Sequence, residues 1–504
     1  MSAVGSDKSR SVVPRWQMSS TFATKEESNA LHPLDRPVEF DNWFDQAMLD
    51  WREHQGAGYL ADLFSTALVE RRDSVLPELA KAVLDGGDRF PQALQGIAEK
   101  ILLPPEQKLT EAAFTLDLEG THEAFGRRIS QLRKLVISFP RDAFAWHDLA
   151  YYYNMIGESE KADRAMLAAL RVSDSHRVIA RGASRFYLHK KDNERALSVL
   201  RRSQFFAKDP WLLSAHLAVA QVSGLESSHL SVAKRLLDEM GPQIKTSELG
   251  MAVATHELFH GKLKKAKAIA RDAGQNPTEN ALAQAVWLSP RMNTNIVTGK
   301  EIAQARQGYE ARCWEAYYLG RWRESMDHVL EWLRFEPYSI VPSLHGSFVA
   351  STLLQDYQLA TAIALFGLSA NPGDWMLRNN LVVALVKGGR IEEAKAEFEK
   401  LHDLEEVKRD IAVWSATQGL MKYRTGETEA ARSLYESARL ELVKRRDRSA
   451  QIVLALYQSV EEATAGNVEE AKKIIRKVHD SLRLHTVEND LRTLLRSEIL
   501  DSGK

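Results

Sequence analysis

The chemistry most readily suggested by the residues is metal binding. His256-Glu257-Leu258-Phe259-His260 matches the H-E-x-x-H pattern. On a helix, residues four apart share a face, so His256 and His260 could hold zinc with Glu257 as general base. A third ligand is needed, and the downstream candidate, Glu279, stands in NPTENALAQ rather than in a recognisable ligand helix. The pattern also ends directly before Gly261, a turn position, where packing is expected rather than an open cleft. The reading adopted is therefore packing and surface histidines and no metal. A zinc peptidase using His256, Glu257 and His260 stands as the alternative.

Other motifs carry less. Gly56-Ala57-Gly58-Tyr59-Leu60-Ala61 fits G-x-G-x-x-A, but a dinucleotide fingerprint needs a preceding strand, and an amphipathic helix precedes this one. Thr298-Gly299-Lys300-Glu301 lacks the earlier glycine and the Ser/Thr of a phosphate loop. Lysines 262, 264, 265 and 267, and the run Lys444, Arg445, Arg446 and Arg448, have acids nearby and read as solvated helix faces. Cys313 falls at a small-residue position and reads as a buried packing residue.

Composition is that of an ordinary soluble globular protein and names no reaction. The 504 residues balance 67 Lys+Arg against 68 Asp+Glu, which argues against a dedicated nucleic-acid binder. One cysteine excludes a disulfide framework, and no apolar run is long enough to span a membrane. The opening MSAVGSDKSRSVVPRWQ has no signal-type apolar region, so a cytoplasmic location is expected.

The elements that would position these side chains are helices. Period-2 alternation is missing, and the scarce Pro and Gly fall between long apolar-periodic segments. Trp146, Leu149, Ala150 and Tyr153 share one helix face, Gly157 supplies a turn, and Ala162 starts a second helix that can approach closely. A Gly followed five residues later by a small residue recurs at Gly261/Ala266, Gly320/Ser325, Gly389/Ala394, Gly426/Ala431 and Gly466/Ala471. Ala196, Ala233 and Ala360 continue the series with the glycine replaced or shifted, and Pro337 and Pro372 close units.

This pattern, over roughly 143–480, resembles the tetratricopeptide repeat family. The resemblance implies an all-α fold: an α-solenoid, a right-handed superhelix of helix pairs, whose first helices line a concave binding surface. The expected organisation is a disordered arm at 1–36, a helical cap or degenerate repeats at 37–140, and a first repeat stack at 141–288. A break follows at 289–304, then a second stack at 305–481 and a capping helix with tail at 482–504.

On the family pattern, the groove-facing residues would be His147, Tyr151 and Asn154, then Arg181, Arg185 and His189. Trp314, Tyr317 and Tyr318 follow in the fifth unit, with Asn379 and Lys387 in the seventh. The expected function is a non-enzymatic scaffold or adaptor that binds a protein or peptide partner, as part of a larger complex, without a cofactor. An effector-responsive sensor hinged near 289–304 is the regulatory alternative.

Overall fold

The computed structural model describes residues 11–16, 43–69, 72, 74–102, 118–225, 227–305, 307–402 and 410–484. Every regular element among them is helical. They fall into two compact units, one within Lys8–Glu315 and Arg334–Glu336, the other within Ala316–Leu333 and Pro337–Lys504.

The first unit opens with α1 (Trp43–His54), α2 (Ala57–Val69), α3 (Leu76–Asp85), α4 (Gln92–Leu102) and α5 (Leu118–Ser138). Helix pairs follow: α6 (Ala143–Met155) with α7 (Ser159–Val172), and α8 (Arg177–His189) with α9 (Asn193–Arg201). Then come α10 (Pro210–Val222), α11 (Leu230–Met240), α12 (Ile244–Phe259), α13 (Leu263–Ala273), α14 (Glu279–Met292) and the short α15 (Gly299–Gln304). Helices α16 (Tyr309–Tyr318) and α17 (Trp322–Phe335) each contribute residues to both units.

The second unit continues with α18 (Ile340–Phe348), α19 (Tyr357–Ala370), α20 (Trp375–Lys387), α21 (Ile391–His402), α22 (Ile411–Arg424), α23 (Thr428–Lys444), α24 (Arg448–Thr464) and α25 (Val468–Leu484).

The repeat spacing is visible in the backbone. Gly157 sits at φ 73°, a conformation that costs glycine nothing and lets α6 turn into α7. Where the glycine is missing, Lys191 (φ 60°) and Gln355 (φ 54°) adopt the same left-handed backbone five residues before Ala196 and Ala360. The small residues Ala162, Ala196, Ala233, Ala266, Ser325, Ala360, Ala394, Ala431 and Ala471 are all fully buried, as close packing of paired helices requires. First helices stack on first helices: α6 on α8, α8 on α10, α10 on α12 and α12 on α14 in the first unit, and α18 on α20, α20 on α22 and α22 on α24 in the second. Such stacking of hairpins is the solenoid principle.

Buried polar pairs tie successive first helices together. Arg177 of α8 meets Asp209 at 2.6 Å, both almost inaccessible, and Asp209 also caps α10 by accepting from the backbone N–H of Trp211. Removing one partner of such a pair costs about 3–5 kcal/mol, because the other charge stays buried.

Three expected boundaries differ from the structure. The stretch 289–304 begins inside α14, with Pro290 within the helix, and ends in α15, so the non-helical link is only 293–298. Pro290 has no N–H to donate four residues back, so one rung is missing near the end of α14, and the helix stops two residues later at Met292. The chain passes between the compact units at Glu315/Ala316, with Arg334–Glu336 belonging to the first unit. In the arm 1–36, residues 11–16 are non-helical and largely buried, while the rest of that arm, like 103–117 and 485–504, lies outside the described residues.

Candidate functional site: an occupied groove on the first helices

Residues 11–16, Ser-Val-Val-Pro-Arg-Trp, lie across the face made by α6, α8, α14 and α16 of the first unit. Val12 is 1% exposed and Trp16 not at all. Pro14 suits the path, since its ring fixes φ and biases Val13 to extended backbone. Val13 donates its N–H to Ser11 O at 2.7 Å, and Asn280 Nδ2 of α14 donates to Val13 O at 3.0 Å.

Trp16 enters a cavity built from two helices. Its ring meets Tyr151 and His147 of α6 edge-on, with centroids 5.1 and 6.0 Å away, and Phe186 of α8 at 5.3 Å. Edge-to-face aromatic pairs contribute about 0.5–1.5 kcal/mol beyond the area they bury. Tyr151 is anchored from behind by donating its hydroxyl to Phe335 O at 3.2 Å. His147 keeps its place only because residue 182 is glycine: a Cβ there would stand 2.1 Å from His147 Nε2.

Arg15 enters an acidic pocket. Its guanidinium lies 3.3 Å from Glu310, 3.4 Å from Glu336 and 3.9 Å from Glu279. It also sits 5.0 Å from the centre of the Tyr309 ring and donates to the Tyr309 hydroxyl at 3.3 Å. That hydroxyl donates onward to Glu336 at 3.1 Å. Tyr309 stacks on Phe335, with centroids 5.2 Å apart and planes 6° from parallel. Burial, reinforced by Glu336, holds the Tyr309 phenol well above its usual pKa, despite the opposing Arg15 charge, so it stays a neutral donor. Glu279 accepts from the backbone N–H of Gln307 as well. The pocket is thus a fork of acceptors with a stacking face, the environment a planar guanidinium matches and an ammonium matches less well.

The expected groove residues divide accordingly. His147 and Tyr151 line the Trp16 cavity. Asn154 is buried on the same helix. Arg181 is internal: it donates to Trp211 O at 2.8 Å and to Glu248 at 2.9 Å, so it ties α8 to α10 and α12 rather than offering a free cation. Arg185 is partly exposed. His189 retains some surface area yet is closely surrounded, and burial, with Arg185 and Lys190 adding, pushes its pKa down to about 3. Trp314 is buried in the first unit.

In the second unit, Tyr317 is buried edge-on to His345 at 4.8 Å, and Tyr318 is exposed. Asn379 is buried and accepts from Thr417 Oγ1 at 2.7 Å. Lys387 reaches over the Tyr457 ring at 5.7 Å, and a small pocket there is also lined by Asn380 and Glu461.

The H-E-x-x-H residues are used otherwise. His256 and His260 stack on each other, with centroids 4.0 Å apart, and His260 Nδ1 lies 2.8 Å from His256 O. Glu257 is fully buried against Lys234, with Lys262 at 3.7 Å. Burial alone would raise its pKa, but the lysines hold it below the usual carboxylate range. Glu279 belongs to the Arg15 pocket. Among the described residues, no three His, Cys, Asp or Glu side chains group as a metal site, and no helix is long and apolar enough to cross a membrane.

Sequence reasoning did not single out Arg15, Trp16, Phe186, Asn280, Tyr309, Glu310 or Glu336. The one signal was the apolar-aromatic cluster Val12–Trp16 inside an otherwise polar arm.

Fold and site together define an all-α helical-repeat protein that holds a non-helical N-terminal segment against its first helices. No family model matches the chain, and no curated protein does. Solved helical-repeat structures do. A human IFIT1 dimer with PPP-AAAA shares 13% identity at a TM-score of 0.35, covering 74% of this chain and 96% of its own. The APC/C hetero-tetramer Cut9-Hcn1 shares 13% at a TM-score of 0.40, covering 96% and 100%. At that overlap neither carries a ligand or partner over to this chain.

Proposed function

We propose that this chain is a non-enzymatic scaffold that binds extended protein segments along the first helices of its N-terminal unit. The observation supporting this reading is the seating of Val12–Trp16. Side chains from four helices receive a non-helical segment through an aromatic cavity, an acidic pocket and an amide contact. Peptide recognition of this kind concentrates energy in a few buried aromatic and Arg anchors. The groove is built from helices that pack without the peptide's backbone, so little ordering cost is charged against binding. The reading requires no cofactor and no catalysis. A role within a larger complex, in the cytoplasm, completes it.

The test is peptide selection. Random displayed 12-residue peptides are selected on the full chain carrying Trp16→Ala, which empties the aromatic cavity. A consensus whose binding is lost with Glu310→Lys is expected. Selection that yields no groove-dependent peptide would remove the proposal.

A further inference from the structure

The segment in the groove belongs to the chain itself, and this bears on when the groove is open. We propose that residues 11–16 are a displaceable occupant: they keep the site closed until another extended segment carrying the same Pro-Arg-aromatic chemistry takes their place. This rests on the peptide-binding reading above.

Three observations support it. First, the segment forms no helix, and the contacts to its backbone include the Asn280 amide and one within the segment between Val13 and Ser11. The helices that receive it satisfy their own backbone hydrogen bonds internally, so its departure breaks no ladder.

Second, its polar and aromatic anchors are two side chains, beside the buried Val12 and Pro14. Trp16 fills the cavity of His147, Tyr151 and Phe186, and Arg15 fills the pocket of Glu279, Glu310, Glu336 and Tyr309. Vacating the groove would leave three closely placed carboxylates without the guanidinium between them. Coulomb repulsion makes that state costly, so an open groove favours an arginine-bearing ligand over a neutral or acidic one.

Third, the cavity shape is specified rather than incidental. Gly182 allows α8 to come so close that His147 is set against the Trp16 ring. An indole, or an aromatic ring of similar reach, fits the space.

A tethered occupant competes at an effective concentration on the order of millimolar. A free peptide of the same sequence must overcome that concentration, so the intact chain should bind it weakly and a chain with its own segment disabled should bind it well.

The probe is a fluorescein-labelled peptide of residues 9–18. Expected results are binding to the full-length Trp16→Ala chain at least tenfold tighter than to wild type, and at least tenfold loss when the peptide's Arg15 is replaced by Ala. Equal binding to both chains would overturn the displacement proposal and leave peptide binding standing. No binding to a folded Trp16→Ala chain would overturn it too. To separate that outcome from misfolding, a specific protease site is placed in residues 24–30 of the otherwise wild-type chain and cut after folding. Release of the cut segment on dilution, with helical circular dichroism unchanged, is expected. Retention of the segment until the helices melt would show it to be a fixed part of the core and overturn the proposal.

Discussion

Arg15 Nη2 donates to Glu310 Oε2 at 3.3 Å, across 295 residues of sequence. Both side chains are about nine-tenths buried, so this pair is shielded from the screening that weakens surface ion pairs. Arg15→Ala should destabilise the first unit by about 3–5 kcal/mol, the range for removing one partner of a buried ion pair. Adding Glu310→Gln to Arg15→Ala should restore about 1–2 kcal/mol by removing one of the crowded carboxylates. Denaturant unfolding of the two single variants and the double variant measures this. Strict additivity would mean that the two groups do not communicate.

Gly182 and His147 form a second coupled pair. Gly182→Ala should improve helix propensity by about 1 kcal/mol, yet its Cβ would stand 2.1 Å from His147 Nε2. Displacing that ring into a packed wall costs about 1–3 kcal/mol and deforms the Trp16 cavity. The expected outcome is a modest fall in Tm and clearly weaker capture of the residue 9–18 peptide when combined with Trp16→Ala. Unchanged capture would show that the His147 wall does not shape the cavity.

The fold was legible because helix pairing imposes a spacing. A left-handed turn residue five positions before a small residue marks the hairpins apart from α10/α11, where Gly224 stands nine before Ala233, and Lys191 and Gln355 obey the rule without being glycine. His147 and Tyr151 could be placed in the groove by counting along α6. Arg181 was misleading, because its partner Glu248 is 67 residues away and nothing local announces the pair. The acidic pocket was not legible at all. Glu279, Glu310 and Glu336 sit on different elements, and each alone resembles an ordinary solvated carboxylate. The Val12–Trp16 segment was hidden by averaging, since its apolar residues are diluted within a polar arm.

The H-E-x-x-H residues permit a prediction that separates packing from metal chemistry. Glu257 is fully buried, and Lys234 is its nearest cation. Lys234→Met should therefore destabilise the chain by about 1–3 kcal/mol, the cost of a buried charged group losing its partner. His256→Ala and His260→Ala, which remove a partly exposed stack and, for His260, its contact with His256 O at the end of α12, should each cost less than about 1 kcal/mol. Thermal melts of the three variants, together with zinc analysis of untagged protein, decide the matter. Near-stoichiometric zinc lost with either histidine would reinstate the metal reading.

His216 gives the pH prediction its sign. It is 4% exposed, with its ring 5.2 Å from Phe206 and 5.0 Å from His229. Burial, helped by the positive potential of His229 and Arg201, pushes its pKa down from 6.5 to about 4. His189 shifts in the same direction, to about 3. A histidine with a lowered folded pKa refuses a proton that the unfolded chain accepts. Its contribution is therefore intact above pH 6.5, is lost progressively as pH falls toward 4, and changes no further below that. For His216 alone the loss amounts to about 2 kcal/mol by pH 5. His216→Asn should be less stable than wild type at pH 7.5, because the buried ring is gone, but should lose less on acidification. Tm values of both chains at pH 7.5 and pH 5 test this: the gap between them should narrow at pH 5. Parallel falls would show that the His216 proton is not linked to folding.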